Sequence, residues 1–540
     1  MPERTWWKHG IVYQIYPRSF QDTNGDGIGD LQGIRARLDY LSALGVDAIW
    51  ISPIYPSPMA DFGYDVADYC DVDPMFGSLA DFDDLVRDAH AQGLKIILDF
   101  VPNHTSDRHP WFAESRSDRS NPKRDWYVWR DGRDDAPPNN WVSQFGGPAW
   151  TFDQATGQYY LHSFLREQPD LNWRNPEVRD AMYGVLRFWL ARGVDGFRVD
   201  VIWLLIKDAG LRDNPPNPVF QPTQAEINRF LHVHNADQPE IHDVIAEMRA
   251  VLDRYADGVL IGEIYLPLER LVAYYGKDLG GAHLPFNFQL ILSAWNAREI
   301  ARLIEDYEQA LPAGGWPNWV LGNHDQPRIA ARVGAAQARV AAMLLLSLRG
   351  TPTMYYGDEL GLGRVTIPPE AMRDPWERNE PGLGLSRDPS RTPFQWDASP
   401  QAGFTRGEPW LPLAPDWPSR NADALGRDPT SILALYRRLI AVRRRHRALS
   451  IGAFRLITVA DQLLVYERSF GRERVLVALN FRPEPHGVEV PLAGAVLVST
   501  HLDRTGTISE LTLRGDEGVI VLCDAGEGDD APDDRGAQPS

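Results

Sequence analysis

Four carboxylates in this 540-residue chain, Asp99, Asp200, Glu263 and Asp325, each close a short apolar run that reads as a β-strand. In Gly196-Phe197-Arg198-Val199-Asp200, strand alternation puts Arg198 and Asp200 on one face and Phe197, Val199 and Val201 on the other. The apolar set is then expected to meet a covering layer, with Arg198 and Asp200 pointing inward. A single Arg–Asp couple is equally well an internal ion pair. Four carboxylates ending successive runs point instead to a shared site. One ionised carboxylate and one protonated carboxyl about 5 Å apart can cleave a glycosidic bond with retention of configuration. Arg198 is expected to keep Asp200 charged, as a nucleophile requires. The apolar approach Leu260-Ile261-Gly262 is expected to raise the pKa of Glu263. A rise of ~2 units favours the protonated form by ~2.7 kcal/mol. Asp325, after Asn323-His324, is placed to orient hydroxyls and to stabilise a developing positive charge.

A second pattern is Asp22-Thr-Asn24-Gly-Asp26-Gly-Ile28-Gly-Asp30. Oxygen donors at alternate positions, with glycines allowing tight turns, can wrap a hard cation. Asp22, Asn24, Asp26, the carbonyl of Ile28 and Asp30 are the expected ligands of one structural divalent cation. The terminal Glu of an EF-hand loop is missing, and the same composition also makes a metal-free turn.

The elements that must position these groups alternate short β runs with helical patterns. The runs are Ile11–Tyr16, Ala48–Ile51, Leu94–Phe100, Gly196–Val201, Val259–Ile264, Phe286–Gln289, Trp319–Gly322 and Thr353–Tyr356. Between them lie stretches such as Leu79–Gln92, with Phe82, Leu85, Val86 and Ala89 at helical spacing. This predicts an α/β fold, a (β/α)₈ barrel. The alternative, a doubly wound open sheet, is disfavoured because no GxGxxG follows the first run. Residues 104–169, rich in Trp, Pro, Asn and Asp and without a clear helical period, read as an insertion into a barrel formed by 1–103 and 170–451. Residues 361–427 read as a long loop or subdomain over the barrel mouth, before a helix at Ser431–His446. Runs such as Leu463–Tyr466, Val475–Leu479, Val488–Val490 and Gly518–Leu522 predict a C-terminal antiparallel β-sandwich over 452–524. The acidic, Pro-containing residues 525–540 read as a disordered tail.

A net charge of −19 argues against nucleic acid or an anionic membrane as partner and suits a neutral small molecule. Cys70 and Cys523 are too few for a disulfide framework and lack zinc spacing. The N-terminus has no apolar signal region, and the best apolar stretch, Val340–Leu348, stops short of a membrane span. Cytoplasmic residence, alone or as a homodimer, is the expectation. Of the 18 Trp, most are expected in cores and the rest against a sugar face.

The sequence resembles the α-amylase family of glycoside hydrolases (family 13), and within it the bacterial α-glucosidase and oligo-1,6-glucosidase group. The stretches that carry the likeness are Asp99-Phe-Val-Pro-Asn-His104, Gly196-Phe-Arg-Val-Asp200, Gly262-Glu263 and Asn323-His-Asp325. Gln168-Pro-Asp-Leu-Asn172, Asp61-Phe-Gly-Tyr64 and Arg387-Asp-Pro-Ser-Arg-Thr-Pro393 add to it, all in the expected order. The resemblance implies that Asp200 is the nucleophile, Glu263 the acid/base and Asp325 the transition-state stabiliser. It implies that Asp61, Tyr64, His104, Arg198, His324 and Arg387 hold a terminal glucose, with an Asp61–Arg387 pair walling off the far end. Phe145 and Phe164 complete an apolar side or simply pack the core. It also implies Ca²⁺ or Mg²⁺ in the Asp22–Asp30 loop, and no organic cofactor.

The linkage cues disagree. Val201, directly after the nucleophile, goes with α-1,6 preference in this group. Residues 207–247 look more like α-glucosidases acting on maltose-type substrates. The longer stretch carries more weight, so an exo-acting, retaining α-glucosidase on short α-1,4-linked α-glucosides is expected, with transglucosylation to alcohol acceptors open to it. An oligo-1,6-glucosidase, or a sucrose or trehalose-type isomerase, is the alternative on the same fold. A non-catalytic glucosidase-like binding protein is the rival from another class, and it predicts lost carboxylates that this chain retains.

Overall fold

The computed structural model describes residues 5–489 and 493–523. Val490, the end of one expected strand, and the expected tail lie outside the described residues. Eight short strands make one sheet: β1 (Val12–Ile15), β2 (Ala48–Ile51), β3 (Lys95–Phe100), β4 (Gly196–Val199), β5 (Val259–Gly262), β6 (Leu284–Pro285), β7 (Asn318–Val320) and β8 (Thr351–Tyr355). They pair in the order β7-β8-β1-β2-β3-β4-β5-β6, and every pairing is parallel. The two ends of that order, β6 and β7, are joined by a side chain. Asn318 Nδ2 donates to the Pro285 carbonyl at 2.6 Å, and its Oδ1 accepts the Asn287 N–H at 3.0 Å. The sheet is therefore a barrel whose seam is sealed by an amide.

Alternation divides each strand between two cores. Val12, Trp50, Ile97, Val259, Ile261 and Val320 fill the inside. Leu98, Phe100, Phe197, Val199 and Leu260 face outward into the layer between strands and helices. The helix Leu79–Ala91 shows how that layer is built. A reciprocal Ser78–Asp81 capping box starts it, and Phe82, Leu85, Val86 and Ala89 are its buried stripe. The helix Ile432–Arg445, started by the Ser431 side chain, packs on the same layer.

Three expectations are corrected, and the make-up of residues 104–169 is filled in. The run Phe286–Gln289 is not the sixth strand; Leu284–Pro285 is, and Gln289–Leu292 is helical. A two-residue strand ending in Pro leaves too little alternation to read. Residues 104–169 do contain a helix, Pro110–Ser117, set by Pro at its first position and a His109 cap rather than by apolar period. A three-stranded antiparallel sheet (Trp129–Arg130, Gln158–Leu161 and Trp150–Asp153) accompanies it. The helix Ile329–Ser347, between β7 and β8, is long and apolar enough to cross a membrane by length and composition. Most of it is buried against the barrel, so its apolarity belongs to the core. Finally, Val201 is not on the outer face of β4: it lies beyond the strand, with φ 37°.

The C-terminal region is a six-stranded antiparallel sheet backed by a two-stranded one. Leu463, Val465, Val488, Leu513 and Val519 pack between them. The other face of the large sheet, with Leu464, Tyr466, Val477 and Leu479, joins the outer core of the barrel.

Candidate active site

The carboxylates converge where strand alternation and register send them. Asp200 and Glu263 stand one residue past β4 and β5 and are still held by ladder bonds. Asp200 N–H donates to the Phe100 carbonyl at 2.8 Å, and Glu263 N–H to the Val199 carbonyl at 3.0 Å. Register sets Asp99 beside Arg198, and Arg198 beside Ile261. The buried Arg198 guanidinium lies 2.7 Å from Asp99, 2.7 Å from Asp200 and 2.6 Å from Glu263. The left-handed turn at Val201 aims its N–H at Glu263 Oε2, 2.9 Å away.

Three carboxyls around one guanidinium cannot all be ionised cheaply out of water. Burial pushes Asp200 well above the usual carboxylate range; Arg198 opposes this, and Glu263 and Asp99 reinforce it. Arg198 lowers Asp200 as expected, but burial outweighs it, and the guanidinium is shared among three acids. Burial likewise raises Glu263, with Arg198 opposing it, Asp325 reinforcing it, and the Val201 N–H and the Asp200 side chain lowering it. Asp99 is pushed up to about 6 by burial, despite Arg198. Burial thus shifts all three carboxyls upward, and they titrate as one interacting set.

Asp325 behaves oppositely. Asn323 Oδ1 accepts the N–H groups of Asp325 and Gln326, both at 2.9 Å, and turns the chain after β7. Asp325 then meets Arg391 at 2.9 Å, Arg387 at 3.2 Å and His324 Nε2 at 3.1 Å. Burial opposes its charge; His324 lowers the carboxyl only when itself protonated, and the fixed charges of Arg387 and Arg391 hold it below the ordinary range. Asp325 is thus a standing anion facing the cavity. His324 is pushed down to about 3 and His104 to about 4, both by burial, so both rings are neutral near pH 7.

These groups line a cavity of ≈ 500 Å³, within the range of small-molecule sites. Asp61, Tyr64, His104, Phe145, Phe164, Asp200, Glu263, His324, Asp325 and Arg387 all line it, and Arg198 lies beneath. Tyr64 O–H reaches Asp99 at 3.0 Å and His324 Nε2 at 2.7 Å, its ring stacked nearly parallel to that of His324. Arg387 closes one end by pairing with Asp61 at 2.8 Å, and its guanidinium sits over Phe145. Phe145 and Phe164 contact each other at 5.9 Å, so wall and packing are the same surface. Trp203 and Trp376 are the tryptophans in the wall, while Trp50, Trp141, Trp173, Trp189 and Trp319 are fully buried. Val201 also faces the cavity.

Several functional neighbours escaped sequence reasoning. Asp374 grips Arg387 by both carboxylate oxygens at 2.8–3.1 Å, and nothing in its loop sequence marks it. Arg391 stands four residues after Arg387 in the same Arg387–Pro393 motif, and that spacing is the signal that marks it as a second partner of Asp325. Gln168, also in a quoted motif, reaches Asp61 at 3.3 Å. Tyr265 and Gln326 complete the wall.

The Asp22–Asp30 loop supplies only hard oxygen donors, but they mainly organise their own backbone. Asp22 accepts the N–H groups of Asn24, Gly25 and Gly27 at 2.8–2.9 Å; Asn24 and Asp26 accept those of Asp26 and Ile28 at 2.8 Å. Asp30 caps the next helix through Gly33 N–H at 2.7 Å. Among the described residues, no three His, Cys, Asp or Glu side chains are gathered as a metal site.

Comparison with known proteins places this geometry. A family model for the alpha-amylase catalytic domain matches residues 14–452. A probable alpha-glucosidase of Rhizobium meliloti (strain 1021) is 43% identical, over 94% of this chain and 95% of that protein. An oligo-1,6-glucosidase of Parageobacillus thermoglucosidasius is 38% identical, over 95% and 98%. A solved alpha-glucosyl transfer enzyme superposes with TM-score 0.91 at 42% identity, covering 97% of this chain and 100% of that one. A trehalulose synthase of Pseudomonas mesoacidophila MX-45 does so with TM-score 0.89 at 37% identity, covering 97% and 100%.

Proposed function

We propose, from the premise that this chain belongs to the alpha-amylase family of glycoside hydrolases, that it is a retaining, exo-acting α-glucosidase of short α-1,4-linked substrates. The observation that carries this reading is one arrangement. Two carboxyls on adjacent strand ends share Arg198 at the floor of a cavity, and an Arg387–Asp61 pair closes its end. A closed end admits one terminal sugar, which is the basis of exo-action.

Asp200 attacks the anomeric carbon as the glycosidic C–O bond breaks, and Glu263 gives its proton to the departing oxygen. The product is a glucosyl ester of Asp200. Glu263, now ionised, takes a proton from water as that water attacks the same carbon and releases Asp200. Burial of Glu263 favours the protonated state that the first step needs. The permanent charge of Asp325 faces the ring that becomes cationic in the transition state. An alcohol replacing the water gives a new glucoside, and the solved alpha-glucosyl transfer enzyme at 42% identity supports that second outcome.

The α-1,4 preference rests on the 207–247 stretch, while Val201 in the cavity wall argues for α-1,6. A product time course on maltose, isomaltose, sucrose and starch, with anomeric configuration followed by NMR, tests all of this. Release of α-glucose, fastest from maltose, is expected. Isomaltose cleaved much faster than maltose would overturn the linkage, and β-glucose the retaining mechanism.

One structural Ca²⁺ or Mg²⁺ held by Asp22, Asn24, Asp26, the Ile28 carbonyl and Asp30 is part of the proposal, supported by the all-oxygen donor set of that loop. Elemental analysis should find about one such ion per chain, and chelation should lower Tm. Cytoplasmic residence, alone or as a homodimer, completes it, with cell fractionation and light scattering as checks.

A further inference from the structure

The cavity mouth is bounded by three separate excursions of the chain: the 104–169 insertion, the segment near 223–228, and the loop after β8. One side chain joins them. Glu380, from the loop after β8, accepts the Glu226 N–H at 2.7 Å through Oε1. Its Oε2 accepts the indole N–H of the wall residue Trp376 at 3.0 Å. The Glu226 carboxylate reaches on to the Gly147 N–H of the insertion at 2.9 Å. Glu380 also lies flat against the insertion at Gly146. There φ is +82°, and a Cβ would come within 2.7 Å of Glu380 Cγ. Only glycine allows that approach.

These contacts hold no carboxylate of the catalytic cluster, yet each neighbouring segment supplies wall. Phe145 precedes Gly146, Ala225 and Ile227 flank Glu226, and Trp376 and Arg387 flank Glu380. The insertion is also tied to residues 212–214 by Asn140 and Trp141, and to the loop after β8 by Phe145 against Trp376 and Arg387; Glu380 adds the bond between that loop and the 223–228 segment. Asp61 and Arg387 pair at the glucose-holding end, where Phe145 packs against Arg387, and how far the 223–228 wall stands from the loop after β8 is set by Glu380.

We propose that Glu380 is a positioning residue which, by tying Glu226 and Trp376 together against Gly146, fixes the width of the leaving-group side of the cavity and so selects disaccharides over longer chains. This deepens the α-glucosidase reading and rests on it.

Two variants break the tie independently: Glu380→Ala removes both acceptors, and Gly146→Ala pushes Glu380 away. Each is measured for kcat and KM on maltose and maltotetraose, for inhibition by glucose, and for Tm. The expected result is a rise in KM for maltose of about fivefold in both, with kcat little changed. The maltose-to-maltotetraose ratio of kcat/KM should fall, and the Ki for glucose should hold. Glu380→Gln, which keeps one acceptor, should recover much of the wild-type ratio. An unchanged ratio in both variants overturns the proposal. So does a glucose Ki that rises in step with KM, since that marks general damage to the pocket. If wild-type protein releases no glucose from maltose or maltotetraose, the α-glucosidase reading itself falls, which is a distinct result.

Discussion

At the scale of single residues, the shared guanidinium decides the chemistry. Asp200→Asn removes the proposed nucleophile while keeping its shape. Turnover should drop at least about 10⁴-fold, or more than about 5 kcal/mol of barrier, with the fold retained by circular dichroism. The pH dependence follows from the direction of the shifts. Burial raises both Asp200 and Glu263. As pH falls through the lower apparent pKa of the pair, the pair takes up its second proton, no carboxylate is left to attack, and activity is lost. As pH rises through the upper one, the pair loses its last proton, no acid is left, and activity is lost again. The acid limb of kcat/KM should therefore lie above the ordinary Asp value of about 3.9. A profile flat from pH 8 down to 4 would contradict this. Arg198 was legible as an inward partner of Asp200. Its contacts with Asp99 and Glu263 were not, since they depend on strand register.

At the scale of elements, the weakest link is the barrel seam. Strands β6 and β7 share no ladder, and the amide of Asn318 replaces it. Asn318→Ala should leave the buried Pro285 carbonyl and Asn287 N–H unpaired. That costs about 1–3 kcal/mol for each lost partner, read as a lower midpoint in urea denaturation. Because Asp325 follows β7 closely, kcat should fall as well. The same seam explains the misread sixth strand. Strands with four or more residues show their alternation, whereas Leu284–Pro285 is defined only by its pairing with Ile261 and Gly262 of β5.

At the scale of the whole molecule, the C-terminal sandwich and the barrel are one folding problem. Leu464, Tyr466, Val477 and Leu479 belong to the same core as the barrel helices. Buried Arg468 donates to the carbonyls of Ser347 (2.5 Å) and Gly452 (2.9 Å), and buried Arg443 to those of Leu346 and Leu348, both at 3.0 Å. These arginines satisfy carbonyls at the end of the apolar helix Ile329–Ser347. A chain ending at residue 451 should expose that helix and the sheet's footprint, and should aggregate on expression. A soluble, active truncation, seen as a monodisperse peak by size-exclusion chromatography, would refute this coupling.

Read alone, the sequence determined which residues alternate, and therefore that Arg198, Asp200 and Glu263 leave strand ends on the inner face. It also determined the family likeness and the order of its motifs. Both are local properties, carried by period and composition. Tertiary structure alone decided that Asp374 and Arg391 brace Arg387 and Asp325, that Val201 faces the cavity, and that an apolar helix is core. It also decided the direction in which the central carboxyls shift. Arg198 and Asp200 are two residues apart, but the balance of charge around them includes Asp99 and Glu263 from other strands. Electrostatic energy in a buried site is set by everything within a few ångströms, and sequence distance does not measure that.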